Sequence, residues 1–346
     1  SLRFVNFGFN YHKSKNFNRL FSMGGALDNM SQSFQLAQEM ERYGLTESEF
    51  NDILDAKNPY TKYWNQLPVL GVMGVRTGVV DWFNDPEKNI HAPWGWNGFN
   101  NNFFSKETGG ISQYDFNVSF NIEDRVYLGA TLGVYDVNYD RYTSYTENLN
   151  DDKGADNGGY TLDNYYRLEG TGMDLKLGVI VRPIESSPFR LGFAVHTPTW
   201  YDLRESYNAT LSSDILAYEK PYIQTLSDFL VTPEYDYLTY DYNLTTPWKF
   251  NVSAGTTFAG AVAVGAEYEY QDYSSSKLKD VDGYELGDQP SVENYLKGVH
   301  TFRIGMETRI IPEFSIRAGY NYSSAAFSKD AYSALSLYST RTDFNN

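Results

Sequence analysis

The sequence predicts an all-β protein, an antiparallel transmembrane β-barrel that carries a helical insertion in one extracellular loop. Apolar and polar residues alternate over repeated segments of about ten residues, short turns alternate with long connections, and aromatic residues make up 17% of the chain. A tilted strand of about 9–11 residues crosses a bilayer with one apolar face, and aromatic girdles mark both interfaces. The sequence holds no run of about 18 apolar residues that would predict a transmembrane helix.

The clearest unit is a hairpin predicted over residues 112–135. Phe116 and Phe120 in its first strand and Leu132 in its second alternate with polar residues. A period of two places the apolar residues on one face of a sheet. After Val134 the apolar and polar positions exchange, which indicates either a β-bulge or the point where the strand leaves the membrane, and the second interpretation is favoured.

Nine strands show this alternation with enough regularity to be predicted. They lie at residues 2–11, 112–122, 126–135, 172–182, 189–196, 248–258, 262–270, 302–310 and 314–322. Tight turns are predicted near residues 123–125, 185–188, 259–261 and 312, and long connections at 142–166, 201–240 and 273–298. A soluble barrel of the lipocalin type would have tight turns at both ends, so this asymmetry favours the membrane barrel.

The period becomes helical between residues 29 and 57. Asn29 to Gln32 and Thr46 to Glu49 have capping-box spacing, and a helical pattern follows each of them. We therefore expect a helical loop insertion at 29–57. Residues 60–83 are predicted as a helix followed by a strand, and residues 84–110 as an irregular aromatic loop.

Composition and motifs argue against several function classes. The chain has no cysteine and a net charge of -16, so thiolate chemistry is excluded and nucleic acid is not an expected partner. No nucleophile elbow, phosphate-binding loop or dinucleotide fingerprint is present, and the four histidines lack ligand spacing. We expect a protein that is not an enzyme, with no catalytic residue, no metal and no cofactor.

Candidate ligand-binding residues lie in the helical insertion and in the apolar stretch that follows it. They are expected to form a hydrophobic cleft at the outer rim, and they are Phe34, Trp64, Leu67, Leu70, Met73, Trp82 and Phe83. The alternative is that this apolar stretch forms an ordinary strand of the wall.

A second candidate set consists of cations on the polar faces of the predicted strands. They are Lys176, Arg182, Arg190, Lys249, Arg303, Arg309 and Arg317. A few of them could hold an anionic head group such as a carboxylate. The favoured interpretation is that they pair with carboxylates on facing strands and fill the interior of the barrel.

Several segments carry a family resemblance. They are the opening run FVNFGFNYHKSKNFNR, the helical insertion, GVIVRPI at 178–184, HTPTWYDL at 196–203 and TPWKFNVSAGTTF at 246–258. Together they resemble the outer-membrane long-chain fatty-acid and hydrophobic-compound transporters of the FadL/TodX group, in its Bacteroidetes branch.

The resemblance implies a monomeric barrel of about 14 strands in a Gram-negative outer membrane. An N-terminal hatch would plug the barrel, helical extracellular loops would capture a hydrophobic small molecule such as a long-chain fatty acid, and a lateral opening would release it. Outer-membrane lipid and lipopolysaccharide would surround the wall. Since only nine strands are visible, we expect residues 1–346 to form a single barrel domain that is incomplete at both ends. A general porin, or a scaffold within a larger complex, is the alternative function.

Overall fold

One antiparallel sheet dominates the computed structural model and curls into a half-barrel. The structure describes residues 2–57, 62–63, 66–87, 89–151, 153–217, 221–225, 231–232, 235–236, 239–311, 313–329, 331 and 344–345. Within these ranges, every helix is too short or too polar to cross a membrane.

Among the described residues, the strands alternate along the chain with four short α-helices. The strands are β1 (Leu2–Asn16), β2 (Arg19–Ala26), β3 (Asp81–Asp85), β4 (Ile90–Trp94), β5 (Asn97–Ile122), β6 (Val126–Asn150), β7 (Asp156–Val181), β8 (Arg190–His196), β9 (Trp200–Ser213), β10 (Tyr222–Thr225), β11 (Val231–Thr232), β12 (Tyr235–Asp236), β13 (Thr239–Thr245), β14 (Lys249–Phe258), β15 (Val262–Asp272), β16 (Lys277–Asp280), β17 (Gly298–Ile311), β18 (Phe314–Ser323) and β19 (Phe344–Asn345). The helices are α1 (Gln32–Arg42), α2 (Glu47–Asp55), α3 (Val69–Thr77) and α4 (Gln289–Tyr295).

Among the described residues, nine successive positions of the wall each contain one of the nine predicted strands. β1 and β2 pair with the two halves of β5, which is followed by β6 and β7. β8 and β9 both pair with β7, and β14 and β13 continue the sheet beside them. β15 and β16, then β17 and β18, complete the order, and β19 pairs with the end of β18. The predicted all-β fold is confirmed.

The register of the wall separates the residues into two faces. One row across it contains Val5, Phe120, Leu128, Val179, Phe193, Val252, Tyr268, Phe302 and Tyr322. We call the face with these residues the apolar face and the opposite one, with Asp115 and Asp174, the polar face. Phe7 is 83% exposed on the apolar face, whereas Asp174 is 5% exposed on the polar face. Side chains on the concave side of a curled sheet lie closer together than those on the convex side. The buried polar face is therefore expected to be the concave one.

Two connections predicted as long are instead strand. Between Tyr142 and Tyr166, β6 continues to Asn150 and β7 begins at Asp156, and β9 occupies the start of the segment 201–240. The predicted aromatic loop at 84–110 is also wrong, because β5 begins at Asn97. In these segments the outward side chains become polar, so the alternation disappears although the backbone pairing continues.

The register also explains the change after Val134. β5 and β6 stay paired without a shift from Ile122 back to Asn100, so Val134 and Asp136 lie on the same face. This continuity agrees with the favoured interpretation, in which the outward residues become polar beyond an apolar band, and β6 carries no bulge there.

Local signals set the ends of the helices. Thr46 and Glu49 form the predicted capping box of α2. α1 begins later than predicted, because the hydroxyl of Ser31 accepts a hydrogen bond from the amide of Ser33 while Asn29 has a φ of 57°. α3 ends at Gly78, whose φ of 72° is the left-handed conformation that glycine favours.

Candidate functional site

A helical subdomain, which we define as α1, α2, α3 and the β3–β4 hairpin, lies on the polar face at the end of the wall opposite the tight turns. Its buried Met40, Val72 and Met73 belong to one apolar core together with Leu162 and Leu211 of the wall. The helices therefore cover the upper part of the polar face, and their apolar sides pack against the sheet.

The sequence-predicted cleft residues divide into two groups. Met73 is 0% exposed and Leu67 is 8% exposed, so both belong to the closed core and neither lines an open cleft. Leu70 and Trp82 are partly buried against that core. Trp64 lies outside the described residues.

Phe34 and Phe83 lie together around a residue that sequence reasoning missed. Trp94 of β4 has its ring centroid 5.5 Å from that of Phe34 and 5.1 Å from that of Phe83. Trp94 is 44% exposed, so this cluster reaches the surface. We call Phe34, Phe83 and Trp94 the aromatic rim. The high aromatic content of residues 84–110 was the available signal, but only the hairpin pairing brings Trp94 to the others.

On the polar face, one buried ion cluster spans three strands. The Lys176 ammonium lies 3.1 Å from Asp115 Oδ1 and 3.8 Å from Asp174 Oδ1. The Tyr135 hydroxyl donates to Asp174 Oδ2 at 2.7 Å. Lys176 thus neutralises carboxylates of its own wall.

Three further predicted cations also have carboxylate partners. Lys249 lies 3.7 Å from Glu269, and Arg317 lies 2.8 Å from Glu307. Arg303 contacts Glu267 and lies 3.3 Å from Glu269. Together with Lys176, four of the seven predicted cations therefore have carboxylate partners. These contacts support the interpretation that facing strands pair their charges.

The remaining three predicted cations lie towards the tight turns. The Arg182 guanidinium donates to the carbonyls of Asp124, Glu185 and Ser187 and so fastens two turns together. No ion pair of Arg190 or Arg309 occurs among the described residues. Arg190 lines a cavity of about 720 Å³ whose floor contains Gly255, Gly265, Gly305 and Gly319 in one row across four strands.

Two neighbouring wall positions are interrupted at the same level by Thr-Pro pairs, between β8 and β9 and between β13 and β14. Proline cannot donate a ladder hydrogen bond. Thr197 Oγ1 accepts from the Leu175 amide at 3.0 Å, and Thr246 Oγ1 accepts from the Thr199 amide at 2.7 Å. We call Thr197 and Thr246, with the prolines that follow them, the Thr-Pro seam. Threonine hydroxyls here take over hydrogen bonds that the backbone would otherwise make.

Within the part of the chain that the structure describes, no group of three or more His, Cys, Asp or Glu is placed to hold a metal ion.

No protein-family model matches the chain, and no curated protein matches it. Solved structures do match. A FadL homologue from Pseudomonas aeruginosa is 14% identical over 94% of this chain and 72% of its own, with a TM-score of 0.43. The CymD monoaromatic hydrocarbon channel is 15% identical over 68% and 69%, with a TM-score of 0.39. The P. putida toluene transporter TodX is 12% identical over 68% of each chain, with a TM-score of 0.37.

The solved structures that match include a FadL homologue and TodX, the group that the sequence resembles. The resemblance to the Bacteroidetes branch of that group stays a prediction.

Proposed function

We propose that this chain forms the wall and cap of an outer-membrane channel for passive uptake of hydrophobic small molecules, without catalysis and without an energy source. The observation that carries the proposal is the polarity of the wall. Phe7, Phe9 and Phe116 are 83%, 63% and 52% exposed on one face, while Asp115 and Asp174 are buried on the other. Water would make such an arrangement unfavourable, whereas lipid stabilises it.

The apolar face has a sharp upper limit. One row across five strands contains Tyr11, Tyr114, Val134, Met173 and Trp200, and the next row above it contains Lys13, Ser112, Asp136, Thr171 and Asp202. From Tyr114 to the end of β5 at Ile122 there are nine residues, close to the roughly 9–11 that a tilted strand needs to cross a bilayer. The row with Tyr11, Tyr114 and Trp200 therefore fits a membrane interface.

The aromatic rim fits the entry of the ligand. Its apolar rings reach the surface at the edge of the helical subdomain. Burying each methylene of a ligand against them contributes about 0.8 kcal/mol to the binding free energy. Affinity would come from the apolar part of the ligand, because four of the polar-face cations already have carboxylate partners. Arg190 and Arg309 are the candidates for meeting the carboxylate of a long-chain fatty acid without breaking an ion pair among the described residues.

An uptake assay with a matched control tests the proposal. Phe34→Asp combined with Phe83→Asp makes the aromatic rim polar, and Leu54→Asp changes an α2 residue that is 44% exposed. Cells producing each protein in the outer membrane receive a radiolabelled long-chain fatty acid or radiolabelled toluene. We expect the rim variant to lower uptake roughly ten-fold, since several buried methylene equivalents are lost, and the Leu54 variant to match the unchanged protein.

The gel mobility of each variant, compared between heated and unheated samples, checks that its barrel has folded. Uptake that is equal in all folded variants would contradict the proposal. If ion conductance in planar bilayers then stayed high in every variant, the porin alternative would replace it.

A further inference from the structure

The carboxylate of Glu147 fastens the helical subdomain to the wall. Glu147 is 0% exposed. Its Oε2 accepts hydrogen bonds from the Gln32 amide at 3.1 Å and from the hydroxyls of Tyr145 and Tyr160, both at 2.7 Å. Gln32 is the first residue of α1, so the negative charge also lies at the positive end of the helix dipole.

The two tyrosine hydroxyls stay protonated donors at neutral pH. Burial, with the neighbouring Glu147 carboxylate, raises the pKa of Tyr145 and of Tyr160. Three donors therefore converge on one carboxylate oxygen, and one of the three belongs to the helical subdomain.

A second polar contact joins the subdomain to the wall at the opposite helix end. Ser213 Oγ of β9 donates to the backbone carbonyl of Thr77, the last residue of α3, at 2.5 Å. The wall thus supplies an acceptor to the first turn of α1 and a donor to the last turn of α3. Such groups match the unsatisfied amides and carbonyls that every helix leaves at its ends.

The closed contact also leaves polar atoms unsatisfied. Glu147 Oε1 and Gln32 Oε1 are buried at this contact, and neither has a hydrogen-bond partner among the described residues. A buried polar atom without a partner costs free energy that solvent would return on exposure. This cost narrows the free-energy gap between closed and open arrangements.

The subdomain shares an apolar core with the wall, but its covalent connection to the wall is narrow. The insertion leaves the sheet after Ala26 and returns beside it, because Ala26 pairs with Asn100 and the Leu27 amide donates to the Phe99 carbonyl at 2.8 Å. Within the insertion, Ser33 and Trp96 exchange hydrogen bonds. A unit joined to the wall through two adjacent strands can move without disrupting the rest of the sheet.

We propose that the helical subdomain is a lid, fastened to the wall at Glu147 and Ser213, which lifts as a unit from the polar face. The proposal rests on the proposed function, since a ligand arriving at the aromatic rim must pass under these helices to reach the polar face. Glu147 is a positioning residue of this lid and needs no contact with the ligand.

Cysteine accessibility measures the opening directly. The chain contains no cysteine, so a single introduced one reports without background. Leu211 lies on the wall under the lid and is 1% exposed, and Ile53 is 0% exposed inside the subdomain between α2 and α3. The full chain carrying Leu211→Cys or Ile53→Cys is treated in lipid vesicles with a water-soluble maleimide, and no ligand is added.

We expect Glu147→Ala to speed the labelling of Cys at position 211 about ten-fold or more, because a buried charged hydrogen-bond acceptor is lost. Labelling at position 53 should stay slow, since a lid that moves as a unit keeps its own core closed. Ser213→Ala should act in the same direction with a smaller effect.

Asp163→Ala is the matched control. Asp163 accepts a hydrogen bond from the Tyr142 hydroxyl at 2.8 Å on the opposite face of the same two strands, away from the subdomain. Equal labelling rates at position 211 in the Glu147 and Asp163 variants would contradict the lid proposal. Fast labelling at position 53 would also contradict it and would indicate local unfolding of the subdomain. Either result would leave the uptake proposal standing, because the assay contains no ligand.

Discussion

Lys176 is the residue on which the charge balance of the polar face depends most. Its side chain is 20% exposed, and it lies between the carboxylates of Asp115 and Asp174, which are 11% and 5% exposed. Removing one member of a buried ion cluster leaves charges without compensation, which costs far more than losing an exposed pair. Position and burial, rather than the number of charges, decide which of the polar-face cations matter for stability.

We expect Lys176→Met to lower the free energy of unfolding by about 3–5 kcal/mol. Arg317→Met is the control, because Arg317 is 77% exposed in its pair with Glu307 and should contribute at most about 1 kcal/mol. Urea unfolding in lipid vesicles, followed by tryptophan fluorescence, measures both. Equal losses in the two variants would show that Lys176 is not a buried counter-charge.

At the scale of elements, the Thr-Pro seam interrupts the hydrogen-bond ladder of the wall most clearly. Both prolines lack an amide proton, and the hydroxyls of Thr197 and Thr246 accept bonds from the Leu175 and Thr199 amides. The wall stays continuous there through side chains. Such a position is expected to open more easily than the regular ladder beside it.

Replacing Thr246 by valine keeps the volume and removes the acceptor. We expect the amide of Thr199 to exchange with deuterium about ten-fold faster or more in Thr246→Val, because its hydrogen-bond partner is lost. Thr256→Val, towards the far end of β14 from the seam, is the control and should leave that exchange rate unchanged. Mass spectrometry of the peptide that contains Thr199 measures the rate. An unchanged rate in Thr246→Val would mean that the hydroxyl does not hold the seam.

Local patterns predicted some elements and missed others for a physical reason. The capping box at Thr46 could be predicted because both of its residues are close in sequence. The upper halves of β6 and β7 could not, because outward residues such as Asp136 and Asp140 are polar while the strands continue through pairing with distant segments. The same limit applies to the site: Phe34 and Phe83 were predicted from composition, whereas Trp94 joins them only through the β3–β4 pairing.

At the scale of the whole molecule, a period of two predicted the nine regular strand segments and their two faces. The side on which the helical subdomain packs depends on tertiary contacts. Met73 was therefore predicted to line a cleft, and it lies instead in the core between α3 and the wall. One sheet thus presents an apolar surface outward and supports both a charged interior and a helical cap on its other face.

The central claim is that the apolar face of this wall contacts lipid and the polar face does not. Spin labels at successive positions from 127 to 134 of β6, in lipid vesicles, test it through their accessibility to oxygen and to a water-soluble nickel complex. We expect oxygen accessibility to be high at Leu128 and Leu132 and low at Thr131, with a period of two along the strand. An inverted pattern, or one without that period, would contradict the membrane-spanning wall on which the proposed uptake depends.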